Sequence, residues 1–309
     1  MTRFFLGVDG GQSSTTAIIG DESGRVLGSG TAGPCNHVGS AGGREKFVKA
    51  LEGCVAAACR KAALDRGGLR FEAACLGFSG GPQDKQALVE EIVPAEKVVV
   101  TTDAWIALAG ATGGKPGIIT LAGTGCIAFG RNASGKTARA GGWGYVFGDE
   151  GGAFDIVRQA VRALLRWEEG WGSPTSLRRK FMEATGVATA NELLHLFYTE
   201  DYPRDRIASY ATLVDESVLE GDEVARQIVS NAAQHLARIT AAVREQLFNQ
   251  GEPVLATYAG GAFRNTLLRD LFRAMVERDL DCTCSRPLHK PAMGALIEAY
   301  RAAGLNPEI

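Results

Sequence analysis

Phe4-Phe5-Leu6-Gly7-Val8-Asp9-Gly10-Gly11-Gln12-Ser13-Ser14-Thr15-Thr16-Ala17-Ile18-Ile19 is an apolar run, a glycine turn and a second apolar run. The β-branched stretch from Thr15 to Ile19 suits a pleated sheet better than a helix, so the turn joins two strands. Strands are predicted over 4–8, 15–19 and 25–28, with Asp21-Glu22-Ser23-Gly24 as the second turn. The same order returns later. Gly117-Ile118-Ile119-Thr120-Leu121 is followed by Ala122-Gly123-Thr124-Gly125, then by Cys126-Ile127-Ala128-Phe129-Gly130, then by Asn132-Ala133-Ser134-Gly135. A strand, a Gly/hydroxyl turn, a strand and an Asx-Xaa-Ser-Gly turn thus occur twice, which reads as a duplicated architecture.

Outward from these two units, Phe47, Leu51, Val55 and Ala58 recur at helical spacing and predict a helix over 43–66. The runs 71–78 and 97–102 read as strands that end in Ser79-Gly80-Gly81 and Thr102-Asp103. Residues 150–250 are helix-rich, with Ile228, Ala232, Leu236, Ile239, Val243 and Leu247 on one face. A strand over 254–258, a turn at Gly260-Gly261, a helix over 265–278 and a last helix after Pro291 complete an α/β chain. The Gly-rich stretch from Gly110 to Gly117 is the natural boundary, giving a first domain over 1–114 and a second over 115–291 that carries a helical insertion.

With 309 residues, 45% of them hydrophobic and 22% charged, the chain can bury the cores of two domains. A formal net charge of -2 offers no basic field for nucleic acid. No stretch approaches the ~20 apolar residues of a membrane helix, and the run ending at Asp9 is too short for an export signal, so a cytoplasmic protein away from the membrane is expected. Seven scattered cysteines then read as reduced, buried thiols, and the four dispersed histidines lack zinc-site spacing.

The turn Asp9-Gly10-Gly11-Gln12-Ser13 offers unobstructed backbone N–H groups, hydroxyls and one carboxylate that can hold Mg²⁺, which together suit a nucleoside triphosphate. Gly123-Thr124-Gly125 repeats that chemistry. Asp103, at a strand end, suits a base that takes a proton from an acceptor hydroxyl, and equally the N-cap of the helix that follows. Gly141-Gly142-Trp143-Gly144-Tyr145-Val146-Phe147-Gly148-Asp149-Glu150-Gly151-Gly152 sets aromatic faces beside carboxylates, the means of gripping a sugar. Asp149 also suits a cap for a helix beginning near Ala153.

Asp9-Gly10-Gly11, Ser79-Gly80-Gly81, Thr102-Asp103-Ala104, Gly123-Thr124-Gly125, Gly142-Trp143-Gly144 with Gly148-Asp149-Glu150-Gly151, and Gly260-Gly261 occur in one order. Over nearly its whole length the chain resembles the N-acetylglucosamine kinases and related BadF/BadG/BcrA/BcrD ATPases of the actin/hexokinase/Hsp70 superfamily. The resemblance implies two actin-like (ribonuclease H-like) domains with a ligand cleft between them, the helix at about 292–309 packing back onto the first. It implies ATP and Mg²⁺ as cofactors, a small amino sugar as substrate and a homodimer. The implied reaction is transfer of the γ-phosphate of ATP to the 6-hydroxyl of an N-acetylhexosamine, N-acetyl-D-glucosamine foremost, with glucosamine, N-acetylmuramic acid and glucose as alternative acceptors.

Carried over by residue, the resemblance makes Asp103 the base and places Asp9 on Mg²⁺. Gly10, Gly11, Gln12 and Ser13 with Gly123, Thr124 and Gly125 would cradle phosphates, and Gly260 and Gly261 would meet the adenosine. Asn36, Ser79, Gly80, Asp103, Trp143, Gly144 and Asp149 would bind the sugar. Two departures stand out: Gln12 replaces a frequent third glycine, which makes a positive φ costlier there, and Cys126 replaces a frequent serine, a better hydrogen-bond donor. An iron-sulfur ATPase that activates a dehydratase or reductase shares this fold. Cys282-Thr283-Cys284 is the stretch that would suit it, although two thiols at alternate strand positions are more often structural.

Overall fold

A computed structural model describes residues 2–35 and 42–309 of the chain. In chain order the first elements are β1 (Phe4–Gly10), β2 (Thr15–Asp21), β3 (Val26–Ala32), α1 (Gly43–Lys61), β4 (Phe71–Phe78), α2 (Gln86–Ile92), β5 (Ala95–Thr102) and α3 (Asp103–Thr112). Then come β6 (Gly117–Ala122), β7 (Cys126–Arg131), β8 (Thr137–Gly141), α4 (Ala153–Glu168), α5 (Leu177–Thr185), α6 (Ala190–Phe197), α7 (Arg204–Ser209), α8 (Ala211–Leu219) and α9 (Glu223–Leu247). The last are β9 (Val254–Ala259), α10 (Thr266–Asp279), β10 (Cys282–Ser285) and α11 (Pro291–Ala302). Two compact units result, Met1–Gly117 with Arg286–Ile309, and Ile118–Ser285.

Each unit is built on a five-stranded sheet of one strand order: β3-β2-β1-β4-β5 in the first and, counted from the corresponding edge, β8-β7-β6-β9-β10 in the second. The repeated Asx-Xaa-Ser-Gly turns are alike in detail. Asp21 Oδ1 accepts from Ser23 N–H (3.0 Å), Ser23 Oγ (2.6 Å) and Arg25 N–H (3.3 Å). Asn132 Oδ1 accepts from Ser134 N–H (3.1 Å), Ser134 Oγ (2.8 Å) and Lys136 N–H (3.0 Å). The glycine that closes each turn has φ of 91° (Gly24) or 83° (Gly135), a conformation that costs a side chain dearly.

In the first unit β4 is buried along almost its whole length, as a parallel strand covered on both faces must be. Phe47, Leu51, Cys54, Val55 and Ala58 of α1 are buried on one side with Leu6, Val8 and Leu76. Ile106 of α3 and Ala295, Leu296, Ala299 and Tyr300 of α11 are buried with Phe5, Ala73 and Cys75 in a second cluster. The third strand runs on to Ala32, beyond the predicted stop at Gly28, because Gly30 lies where a Cβ would strike the backbone of α1. α1 stops at Lys61, short of the predicted Arg66, and Ala63 turns left-handed at φ 54°.

In the second unit α9 buries Ile228, Ala232, Leu236 and Val243. Asp222 starts this helix with one oxygen, accepting from Ala225 N–H at 2.9 Å, and ties down Thr175 and Ser176 with the other. Cys282 and Cys284 lie buried in the same core, and burial pushes the Cys284 thiol up to about 12, so both are packing groups. Among the described residues no helix is long and apolar enough to cross a membrane.

α11 lies directly on α3: a Cβ on Gly294 would strike Ile106 O and Gly110 N. Gly294→Ala should therefore lower stability by about 1–3 kcal/mol through overpacking. Gly33→Ala, where a Cβ meets nothing within 4 Å, should stay within about 0.5 kcal/mol of the parent. Chemical denaturation of both variants checks this, and equal midpoints would refute the close helix contact.

Candidate active site

In the first unit β1, β4 and β5 are parallel and in register, Gly10 opposite Phe78 and Phe78 opposite Thr102. The strands stop level, so the residues that follow them share one edge of the sheet. Ser79 N–H donates to the Gly10 carbonyl (3.2 Å), and Ser79 Oγ donates to Asp103 Oδ2 (2.6 Å). Asp103 Oδ1 accepts from Ala104 N–H at 2.8 Å. The cap of α3 is Thr102, whose hydroxyl accepts from Trp105 N–H at 3.2 Å, so capping is not the task of Asp103.

Asp9 lies in the same group. Its carboxyl is pushed up to about 6, first by burial and then by the charge of Asp103. Two carboxylates that repel each other in a partly dry site fit a cation set between them. After Ser79 the chain passes through Gly80 to Gly81, whose carbonyl accepts from the buried Lys85 ammonium at 2.9 Å. Gly11 N–H closes its turn on Ser14 O (3.0 Å), whereas the N–H groups of Gln12 and Ser13 meet no acceptor among the described residues. Gln12 keeps out of the positive-φ region, so the missing third glycine causes no strain. Asn36 lies outside the described residues.

In the second unit β6 and β9 are parallel, Leu121 opposite Ala259, which brings the turn Gly123–Gly125 beside Gly260. A Cβ on Gly260 would strike the Ala122 carbonyl, and Gly261 opens the single helical turn that leads into α10. The first amides of α4 take up the turn's carbonyls: Ala153 N–H donates to Gly123 O (2.8 Å) and Phe154 N–H to Thr124 O (3.1 Å). Gly123 N–H donates to Gly125 O (2.9 Å), while the N–H groups of Thr124 and Gly125 have no acceptor among the described residues. Each glycine turn thus ends with two adjacent free donors, a fit for phosphate oxygens.

Asp149 is buried behind the second turn. Its Oδ1 accepts from Cys126 N–H (3.3 Å), and a Cβ on Gly125 would run into its carboxylate. It does not cap α4: the capping residue is Gly152, and Asp155 in the first turn accepts from Gly151 N–H at 3.1 Å. The Cys126 thiol donates to Glu150 O (3.1 Å) and is pushed up to about 12 by burial, so it braces the loop from behind and remains uncharged. Trp143 follows β8 and packs beside Gly148, where a Cβ would lie 3.3 Å from its own. It is 66% exposed, with the Arg139 guanidinium 4.8 Å from its ring centre. Arg158 fastens this aromatic loop, donating to Tyr145 O (3.1 Å) and pairing with Asp155 at 2.6 Å. Asp155 and Arg158, three apart at the start of a helix, were within reach of sequence reasoning.

Residues 6–299 match the BadF/BadG/BcrA/BcrD ATPase family. The chain belongs to that family. It is 32% identical over 277 residues to the N-acetylmuramic acid/N-acetylglucosamine kinase of Clostridium acetobutylicum, covering 88% of this chain and 89% of the relative. It is 29% identical to the N-acetyl-D-glucosamine kinase of Dictyostelium discoideum, over 97% of this chain and 98% of that one. Among solved structures, a Chromobacterium violaceum protein provisionally described as an N-acetylglucosamine kinase superposes with a TM-score of 0.78 at 25% identity, over 96% of this chain and 98% of that one. The two α/β units are thus those of the actin-like ATPase fold.

In this member of the BadF/BadG ATPase family the raised Asp9 value has a definite sign. The folded state holds the Asp9 proton more tightly than the unfolded chain, so its contribution to stability falls between about pH 4 and 6 and is level above. Asp103→Asn removes the second cause of the shift. The Asp9 carboxyl resonance, followed by ¹³C NMR on metal-free protein, should titrate near 6 in the parent and lower in Asp103→Asn. An unmoved midpoint would mean that the two carboxylates do not interact.

Proposed function

We propose that this chain transfers the γ-phosphoryl group of ATP to the 6-hydroxyl of an N-acetylhexosamine, N-acetyl-D-glucosamine foremost. The observation that carries the reading is the strand-end group of the first unit, where Asp103 is oriented by a 2.6 Å hydrogen bond from Ser79 and sits within electrostatic reach of Asp9. Membership of an ATPase family and the amino-sugar kinases among its relatives support it.

Phosphoryl transfer asks a protein for positioning, neutralisation of charge and a group to take the acceptor's proton. In this reading Asp103 takes the proton of the sugar 6-hydroxyl as that oxygen bonds to phosphorus and the link to the β-phosphate breaks. Ser79 keeps the Asp103 carboxylate in one rotamer, with the lone pairs not bound to Ser79 and Ala104 left for the sugar. Asp9 holds Mg²⁺, directly or through water. ATP with Mg²⁺ supplies the phosphoryl group and offsets its charge. The free N–H groups at Gln12 and Ser13, and at Thr124 and Gly125, receive phosphate oxygens; Gly10, Gly11 and Gly123 keep the approach clear of side chains. Gly260 and Gly261 serve the adenosine. Asn36, Ser79, Gly80, Trp143, Gly144 and Asp149 serve the sugar, with the Trp143 ring against its apolar face.

A coupled ADP-release assay over a panel of amino sugars, with sugar-free hydrolysis as control, tests the reading. Asp103→Asn should fold and bind sugar while losing turnover by about a hundredfold or more; near-native kcat would remove Asp103 as the base. Trp143→Ala should raise KM for the sugar more than for ATP, and an unchanged sugar KM would take Trp143 out of the pocket.

A further inference from the structure

In the second unit a negative charge adjoins the turn whose amides are free. Asp149 Oδ2 fills the place that a Cβ on Gly125 would take, and the backbone of Asp149 is left-handed there, at φ 65°. Residues with a side chain keep such a conformation mainly at functional sites. Beside that oxygen the Thr124 and Gly125 N–H groups have no acceptor among the described residues. A phosphate seated on those amides would meet the charge of Asp149 at close range, which favours the anion only where a cation stands beside both.

Arg204, the first residue of α7, is that cation. Its Nη1 is 3.8 Å from the same Asp149 Oδ2, and its guanidinium carbon lies over the Tyr145 ring, 5.4 Å from the centre. At 3.8 Å the ion pair is beyond hydrogen-bond distance, and among the described residues Arg204 donates no hydrogen bond, although two-thirds of its side chain is buried, at 33% exposure. Arg158, by contrast, is fully engaged, with Nε and Nη2 on Asp155 (3.2 and 2.6 Å) and Nη1 on the Tyr145 carbonyl (3.1 Å). One oxygen thus abuts Gly125 and pairs with Arg204, so the open fork and the open amides are neighbours across it. A guanidinium fork and paired backbone N–H groups are the donors that phosphate oxygens accept from.

We propose that Arg204 is a further residue of the nucleotide site, donating its fork to the phosphate chain seated on the Thr124 and Gly125 amides and offsetting the charge of Asp149 beside it. The inference rests on the reading of the Gly123–Gly125 turn as a phosphate seat. Two lesser roles compete with it: cancelling the charge of Asp149 and nothing more, and contact with the acceptor instead of the nucleotide.

Calorimetric titration of adenosine and of the β,γ-imido analogue of ATP, each with Mg²⁺, into the intact chain, Arg204→Gln and Arg204→Lys separates these roles. In Arg204→Gln the analogue should bind about tenfold or more weakly, the worth of a charge-assisted hydrogen bond, while adenosine stays within about twofold of the parent. Arg204→Lys keeps the charge without the fork and should recover part of the loss. In turnover with N-acetyl-D-glucosamine, kcat/KM for ATP should fall by at least the same factor, with KM for the sugar within about twofold. If circular dichroism shows Arg204→Gln unfolded, Arg204→Lys decides, with a several-fold loss expected for the analogue and none for adenosine. An unchanged affinity for the analogue, or adenosine weakened as much, overturns the proposal. So does full recovery in Arg204→Lys, which would leave only the cancelling of Asp149, and so does a change confined to KM for the sugar, which would set Arg204 at the acceptor. The titrations need no acceptor: a chain that binds the analogue through Arg204 yet phosphorylates no amino sugar would remove the kinase reading and leave this one standing.

Discussion

The backbone ladder between parallel strands decides which side chains meet. In the first unit the pairing of Gly10 with Phe78 and of Phe78 with Thr102 makes three strands end level, and Asp9, Ser79 and Asp103 become neighbours through that register alone. A slip of one residue would turn every side chain of a strand to the opposite face. In β4 it would force Leu76 and Phe78 out of the α1 core and into the cluster where Ala73 and Cys75 pack with α3 and α11, which is why the packing enforces the register that the polar residues need. The second unit repeats the device with β6 and β9, where it sets Gly123–Gly125 against Gly260.

Beyond the strand ends, the turns succeed by spending their carbonyls and sparing their amides. The start of a helix carries N–H groups without intrahelical acceptors. α4 gives its first two to the carbonyls of Gly123 and Thr124, so the turn's own Thr124 and Gly125 amides are left over. Behind them Asp149 holds φ at 65°, a strain on the order of 1–3 kcal/mol for a residue with a side chain. A buried hydrogen bond from Cys126 N–H and the nearby charge of Arg204 offset that strain. The glycine at 125 is what makes room for the carboxylate.

What the sequence disclosed follows the range of the forces involved. The two Asx-Xaa-Ser-Gly turns, the hairpin strands and the α9 stripe are local chemistry, and each was readable from neighbours a few residues away. The end of the third strand was misplaced because Gly28 and Gly30 look like punctuation in isolation; they are small because α1 lies on them. Whether Asp103 or Thr102 capped α3 was equally undecidable from the string, since both residue types cap well and only the register with Ser79 separates them. The concern over Gln12 dissolved in the same way, through a backbone angle that composition does not encode. Arg204 left no trace at all: α7 belongs to the helical insertion, and nothing in its spacing points to Asp149 or Tyr145.

The charge layout of the first unit runs against stability. Asp9 and Asp103 repel each other in a partly dry site, and among the described residues neither carboxylate has an ion-pair partner. A sequence selected for stability alone would have replaced one carboxylate with an amide. The cost can persist where the folded state gains by another route, and a divalent ion held as proposed, by the folded chain and not the unfolded one, would supply it by mass action. The repulsion in the ligand-free protein is then the measure of how strongly the site is prepared for a cation, and it ties the unfavourable titration of Asp9 to the chemistry proposed for its neighbour.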